Sequence, residues 1–119
     1  MRRLPLWEAM HLKVVIDFYH NYIAGRDADF LSRIDKELIL GVHICNSREP
    51  DDRVPYEEIF RDAGFYEGAV PVKEWVEAVK ATGFCGWWAY ETFSKREAEE
   101  DVYEFASYVH RELKKLVES

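Results

Sequence analysis

The sequence has no run of ~18–20 uninterrupted apolar residues, the length a membrane-spanning helix requires. Its start, Met1-Arg2-Arg3-Leu4-Pro5, lacks the long apolar stretch of a secretory signal, so a cytoplasmic protein is expected. Cysteine is scarce. Cys45 and Cys85 sit within or beside apolar runs without CxxC spacing, which argues against a disulfide framework or a zinc ribbon and leaves buried or inert thiols as the expectation. A positive charge balance is also missing. The formal net charge of −7 works against binding nucleic acid or an anionic membrane surface, both of which depend on Lys and Arg neutralising phosphates. A small neutral or metal-chelated substrate fits better. There is no G-x-G-x-x-G, Walker A, H-E-x-x-H or G-x-S-x-G pattern, no internal repeat and no flexible linker. What remains is 119 residues with 48% hydrophobic content, read as one domain spanning residues 1–119 with a real core.

Three apolar runs organise that domain: Leu12-Lys13-Val14-Val15-Ile16, Leu38-Ile39-Leu40-Gly41-Val42 and Gly86-Trp87-Trp88-Ala89-Tyr90. None alternates strictly, which suits strands buried on both faces, as in parallel sheets. Strands are predicted near residues 12–17, 38–44 and 86–91.

Helical patterns separate the runs. Phe30, Leu31, Ile34 and Leu38 recur at helical spacing behind Asp27 or Asp29, predicting a helix near residues 27–37. Pro71 suits a first turn, Val72, Trp75, Val76 and Val79 form one stripe, and Gly83 stands where a left-handed cap belongs, predicting a helix near 71–82. Ser94-Lys95-Arg96-Glu97 reads as a capping box opening a helix near 95–117, with Val102, Phe105, Val109, Leu113 and Leu116 as its buried stripe. The acidic residues at the start of that helix, Glu97 among them, are read as a solvated face that complements the helix dipole. Strand–helix alternation of this kind favours a parallel α/β fold. The connection from about Cys45 to Val70 is longer than an ordinary loop, contains Arg53, and has room for a short helix around Tyr56 to Asp62.

Each apolar run ends, on its C-terminal side, in a group able to bind metal: Asp17, His43 and Glu91. Strand C-termini are where sites assemble in parallel α/β folds. Two carboxylates and an imidazole converging there would suit Mn²⁺, Mg²⁺, Co²⁺ or Zn²⁺. The bland reading of His43 is a satisfied core or interface histidine. Asp17 and Glu91 resist such a reading more, because a carboxylate at the end of a buried strand is costly unless paired, hydrogen-bonded or metal-bound. His20, three residues past Asp17, could reach the same cavity and bind a substrate hydroxyl or a second metal. Arg53 could bind an oxyanion or orient a substrate, or be a solvated loop residue. Tyr19, Trp87, Trp88 and Phe93 could line a sugar pocket, with core packing as the plainer alternative.

Val15-Ile16-Asp17-Phe18-Tyr19-His20 resembles the "hydrophobic-Asp-x-x-His" segment of xylose isomerase-like barrels, a superfamily of sugar epimerases, dehydratases and endonuclease IV. Gly41-Val42-His43-Ile44 is similar to the next strand of that family, and Gly83-Phe84-Cys85-Gly86-Trp87-Trp88-Ala89-Tyr90-Glu91-Thr92-Phe93 to its "G-Y-x-G-x-x-x-x-E-x-F". The resemblance runs from about Leu12 to Leu116. It implies a partial TIM barrel made of β/α units six to eight, a divalent-metal site on Asp17, His43 and Glu91, and sugar contacts from His20 and Arg53. It also implies that Glu91 is one member of a catalytic carboxylate pair whose other member, a fifth-strand Glu, lies outside this sequence.

The function implied is metal-dependent isomerisation or epimerisation of a sugar or sugar phosphate, with a non-catalytic remnant or interaction protein as the alternative. A related dehydratase is a further reading. Asp17-x-x-His20-Asn21-x-x-x-Gly25 and Asn46-Ser47 invite an endonuclease IV-like activity, but Asp52-Arg53-Val54 breaks the Asp-x-His pair that group needs; separately, His43-Ile44-Cys45-Asn46 stands where many family members have H-x-K-D, so Asn46 cannot serve as that acid. Three parallel strands would leave two free edges and an inner face without partners, with Val15, Leu40, Val42, Trp88 and Tyr90 among the residues affected. A homo-oligomer, or a complex with an N-terminal half-barrel chain, is therefore expected.

Overall fold

A computed structural model describes residues 12–48, 64–66, 68–92 and 95–118. Strand β1 (Val14–Asp17) is followed without a loop by helix α1 (Phe18–Ile23), then by α2 (Ala28–Ser32) and a 3-10 turn (Lys36–Leu38). Strand β2 (Ile39–Ile44), α3 (Val72–Ala81), β3 (Trp87–Tyr90), α4 (Lys95–Ala98) and α5 (Val102–Glu118) complete the order. The strands form one three-stranded sheet in the order β1-β2-β3, and both pairings are parallel. Among the described residues this is an open α/β sheet flanked by helices, the geometry of part of a TIM barrel, as the sequence patterns predict.

Short acidic side chains set several of the helix starts. Asp17 Oδ1 accepts from the His20 amide at 2.9 Å, which starts α1 at the very residue that ends β1. Asp27 does the same for the Phe30 amide of α2, and Asp35 for the Glu37 amide of the 3-10 turn, each at 2.9 Å. The predicted helix over 27–37 is therefore two short pieces, because Asp35 caps a new turn instead of continuing the old one. The predicted helix over 95–117 is also divided. Asp101 accepts from the Tyr103 and Glu104 amides at 3.0 Å and so opens α5, separating it from α4. Ser94 of the expected capping box, the short helix suggested near Tyr56 to Asp62, and Arg53 lie outside the described residues. Gly25 (φ 74°) and Gly83 (φ 91°) take the left-handed conformation just beyond α1 and α3, where a side chain would be strained.

One face of the sheet carries the core. Ile16, Val42 and Ile44 meet Leu31, Trp75, Val76, Val79 and Leu116 from the helices, all buried. Phe18 packs edge-on to Trp75 with centroids 5.4 Å apart. Trp88 and Tyr90 also lie against this core. The expectation that Val42, Trp88 and Tyr90 lose partners in a three-stranded sheet is thus corrected, since they face the helices. Val15, 38% exposed, does lie on the uncovered face. Leu40, 50% exposed, sits where a register shift interrupts the β1–β2 ladder between Val14 and Val15, so strict alternation does not place it.

Candidate metal centre

The register of the sheet decides which side chains meet. Val15 pairs with Gly41 and Gly41 with Trp87; one row on, Asp17 pairs with His43 and His43 with Ala89. Successive residues of a strand point to opposite faces. Asp17 and His43 therefore lie side by side on the face that the helices leave uncovered, at the C-terminal edge. Glu91 follows directly after β3, and its amide donates to the Ile44 carbonyl at 3.0 Å, which extends the pairing by one residue and keeps Glu91 in line with the other two.

The three groups converge. His43 Nδ1 lies 2.6 Å from Glu91 Oε2 and 3.7 Å from Asp17 Oδ2. One donor atom from each residue falls within 4.8 Å of the others. Asp17 is held from two sides: its Oδ1 caps α1, and its carbonyl accepts from the Asn21 side chain at 2.8 Å. Asn21 Oδ1 in turn accepts from Arg26 at 3.1 Å. Capping thus uses one carboxylate oxygen of Asp17 and leaves Oδ2 turned towards His43. With side-chain exposures of 13%, 29% and 40% for Asp17, His43 and Glu91, the cluster deepens from Glu91 to Asp17. It is a cup that opens on the Glu91 side.

Two hard oxygen donors and one imidazole on a rigid strand edge make a donor set that fits a divalent cation. The close His43–Glu91 contact also shows that two members of the triad can satisfy each other, so a cation would have to displace that contact.

His20 sits in the first turn of α1, exposed, with its amide tied to Asp17 and its ring edge-on to Tyr19 at 5.6 Å. It borders the triad and is not one of its three converging donors. Tyr19 is buried against Cys45 and Ile23, which is the packing reading of that residue. Trp88 is likewise a core residue, beside Phe84 at 6.0 Å. Trp87 differs. Its indole covers Gly41 so closely that a Cβ there would overlap the ring, and it lies 5.6 Å from the His43 ring on the uncovered face, 44% exposed. The signal for this was Gly41 itself, since a glycine inside a strand marks a close approach.

Two polar groups near the site carry more than the sequence suggested. Asn46, fully buried just past β2, donates from Nδ2 to the Phe65 and Val70 carbonyls at 3.0 and 3.1 Å, and accepts at Oδ1 from the Ser47 and Val70 amides at 2.8 Å. That side chain pins Phe65 and Val70 to the end of β2. Gly68 is required beside it, because a Cβ would run into the Asn46 side chain and the Ser47 carbonyl. Glu97, expected on a solvated face, is instead buried and accepts from the Tyr90 hydroxyl at 2.7 and 3.0 Å. Burial, the largest influence, pushes the Glu97 carboxyl above its ordinary value although the Tyr90 hydrogen bond opposes it, and burial beside Glu97 also raises the Tyr90 phenol.

Comparison with known proteins places this geometry. A family model described as the xylose isomerase-like TIM barrel matches residues 7–112. A xylose isomerase domain protein from Alicyclobacillus acidocaldarius subsp. acidocaldarius superposes with a TM-score of 0.75 at 25% identity, over 93% of this chain and 40% of that one. The IolI protein, solved with a zinc atom, gives 0.74 at 19% identity over 88% and 37% of the two chains. A xylose isomerase domain-containing protein from Salmonella typhimurium LT2 gives 0.70 at 23% identity over 88% and 39%. The chain thus spans only 37–40% of the length of these three structures. A search of curated proteins gives no match.

Proposed function

We propose a function from one premise: this chain belongs to the xylose isomerase-like TIM barrel family. Its reading is a divalent-metal site that serves isomerisation or epimerisation of a sugar or sugar phosphate. The observation that carries it is the convergence of Asp17, His43 and Glu91 within 4.8 Å at the C-terminal edge of a parallel sheet. The zinc atom in the IolI structure supports a metal reading without identifying the metal here, for which Mn²⁺, Mg²⁺, Co²⁺ and Zn²⁺ all suit the donors.

Asp17, fixed by its cap and by Asn21, would be the rigid oxygen ligand and His43 the nitrogen ligand. A bound divalent cation supplies Lewis acidity, polarising a sugar carbonyl and offsetting the charge that develops on its oxygen. Glu91, the most exposed of the three, is the group placed to hold or move a proton at the carbon beside that carbonyl. His20, exposed on the rim, would meet a sugar hydroxyl, and Arg53 is assigned to the substrate from the family resemblance alone.

A second reading, a metal-binding chain without catalysis, is favoured by a specific observation: the close contact of Glu91 with His43 engages the carboxylate that would have to move the proton. Proton exchange separates the two readings. Ketose sugars incubated in D₂O with the chain and Mn²⁺ should gain deuterium beside the carbonyl, and Glu91→Gln should abolish the gain. Metal binding with no exchange on any sugar would favour the second reading.

A further inference from the structure

Away from the triad, a cavity of about 310 Å³ lies between Phe65-Tyr66, α4 and the first turns of α5. Its walls are aromatic. Phe65, Tyr66, Phe105 and Tyr108 line it, and the Phe65 and Tyr108 rings meet at 76° with centroids 6.0 Å apart, forming a corner. Rings that only filled a core would be buried, as Phe65 is, but Tyr66 and Tyr108 are 55% and 36% exposed. Both are nevertheless held. The Tyr66 hydroxyl donates to Glu112 Oε2 at 3.0 Å, and the Arg111 guanidinium lies 5.9 Å from the Tyr108 centroid. The floor of the cavity is charged. Glu97, only 7% exposed, lines it together with Glu100, and Arg96 is the opposing cation. Tyr90 organises this floor, stacking on Phe65 at 4.2 Å while its hydroxyl donates to the Glu97 carboxylate at 2.7 and 3.0 Å.

We propose that this cavity binds the quaternary ammonium group of a small organic cation, with the rings supplying their negative faces and Glu97 the countercharge. The lining selects that class. Two carboxylates disfavour an anion, and a neutral apolar group would do nothing for the buried charge of Glu97. A primary ammonium needs acceptors for three N–H groups, yet both Glu97 oxygens already hold the Tyr90 hydroxyl. A quaternary nitrogen carries no N–H and needs only charge and rings. The net charge of −7 draws cations towards the chain. None of Asp17, His43 and Glu91 lines the cavity, so the site is independent of the metal centre.

Titration of the chain with choline and with tetramethylammonium, followed by the N-methyl proton resonance, tests the site. Saturable binding at one site per chain is expected, with the N-methyl signal moved upfield by the ring currents. Tyr108→Leu and Glu97→Gln should each weaken binding about fivefold to tenfold, the size of one cation–π contact. Tyr108→Phe, which keeps the ring, and Glu91→Gln, at the metal centre, should bind as the wild type does. Urea midpoints establish that each variant is folded, and a second ligand needs no variant at all: the tert-butyl analogue of choline, equal in shape but uncharged, should bind about tenfold more weakly. The proposal is overturned if choline shows neither binding nor an upfield shift, if the uncharged analogue binds as tightly as choline, or if folded Tyr108→Leu and Glu97→Gln keep full affinity. A trimethyllysine peptide that binds more tightly than choline would move the site to a protein partner and overturn the small-molecule occupant.

Discussion

The sheet carries two tryptophans' worth of contrast. Trp75, from α3, is 3% exposed in the helix-covered core, whereas Trp87 is 44% exposed on the other side. The covered side is where stability resides, and the uncovered side holds the groups with chemistry. Residues of the same type on the two sides should therefore respond to substitution very differently.

The largest expected effect tests that directly. Trp75→Ala removes a ring in contact with Phe18 and leaves a cavity, which should cost about 3–5 kcal/mol in urea unfolding. Trp87→Ala, on an exposed face, should stay within about 0.5 kcal/mol of wild type. Similar costs for the two would mean that the uncovered face is packed after all.

A smaller effect is expected where the covered side reaches the site. Asn46→Ala strands the Ser47 and Val70 amides and the Phe65 and Val70 carbonyls, and buried groups left unpaired cost about 1–3 kcal/mol each unless water reaches them. Loss of stability together with faster hydrogen exchange at the Ser47 and Val70 amides is the expected result. Unchanged exchange there would show that these residues are held by other contacts.

The smallest effect concerns Glu97 and depends on pH. Its carboxyl titrates above the ordinary 4.5 in the folded chain and at the ordinary value when unfolded, so the folded state binds the proton more tightly. Its contribution is thus most favourable below about pH 4.5 and is lost as pH rises through the raised folded value. Glu97→Gln stays neutral throughout, so the stability of this variant relative to wild type should improve between pH 4 and pH 7, read as urea midpoints at each pH. A difference that does not change with pH would contradict the burial of an ionisable group at this position.

The parts of the molecule that could be read in the sequence are those in which one signal dominates. The three strands were legible because each apolar run is continuous, and α3 because Val72, Trp75, Val76 and Val79 make one stripe ahead of Gly83. The candidate ligands were legible because all three stand at the same place relative to their runs. Less was legible where one residue has two roles. Asp17 ends a strand, caps a helix and points its second oxygen at His43, and its helix-starting role was hidden by the apolar Phe18-Tyr19 that follows. Asp101 and Ser94 compete as caps on propensity alone, and only the hydrogen bonds of Asp101 to Tyr103 and Glu104 place the start of α5. Glu97 stands in an acidic stretch that reads as solvated, and its burial depends on Tyr90, whose position is set by pairing with β2. Asn46 is a loop clamp only because Val70 returns to the end of β2, a contact across 24 positions that local pattern does not carry.

The most direct test of the account is calorimetric titration of the chain with Zn²⁺ and Mn²⁺, alongside Asp17→Asn, His43→Ala and Glu91→Gln. The account expects one site per chain, with each substitution weakening affinity while Trp87→Phe, on the same face but without a donor, leaves it unchanged. Affinity that is indifferent to all three triad substitutions, or absent in the wild type, would show that Asp17, His43 and Glu91 are a mutually satisfied polar cluster and not a metal centre.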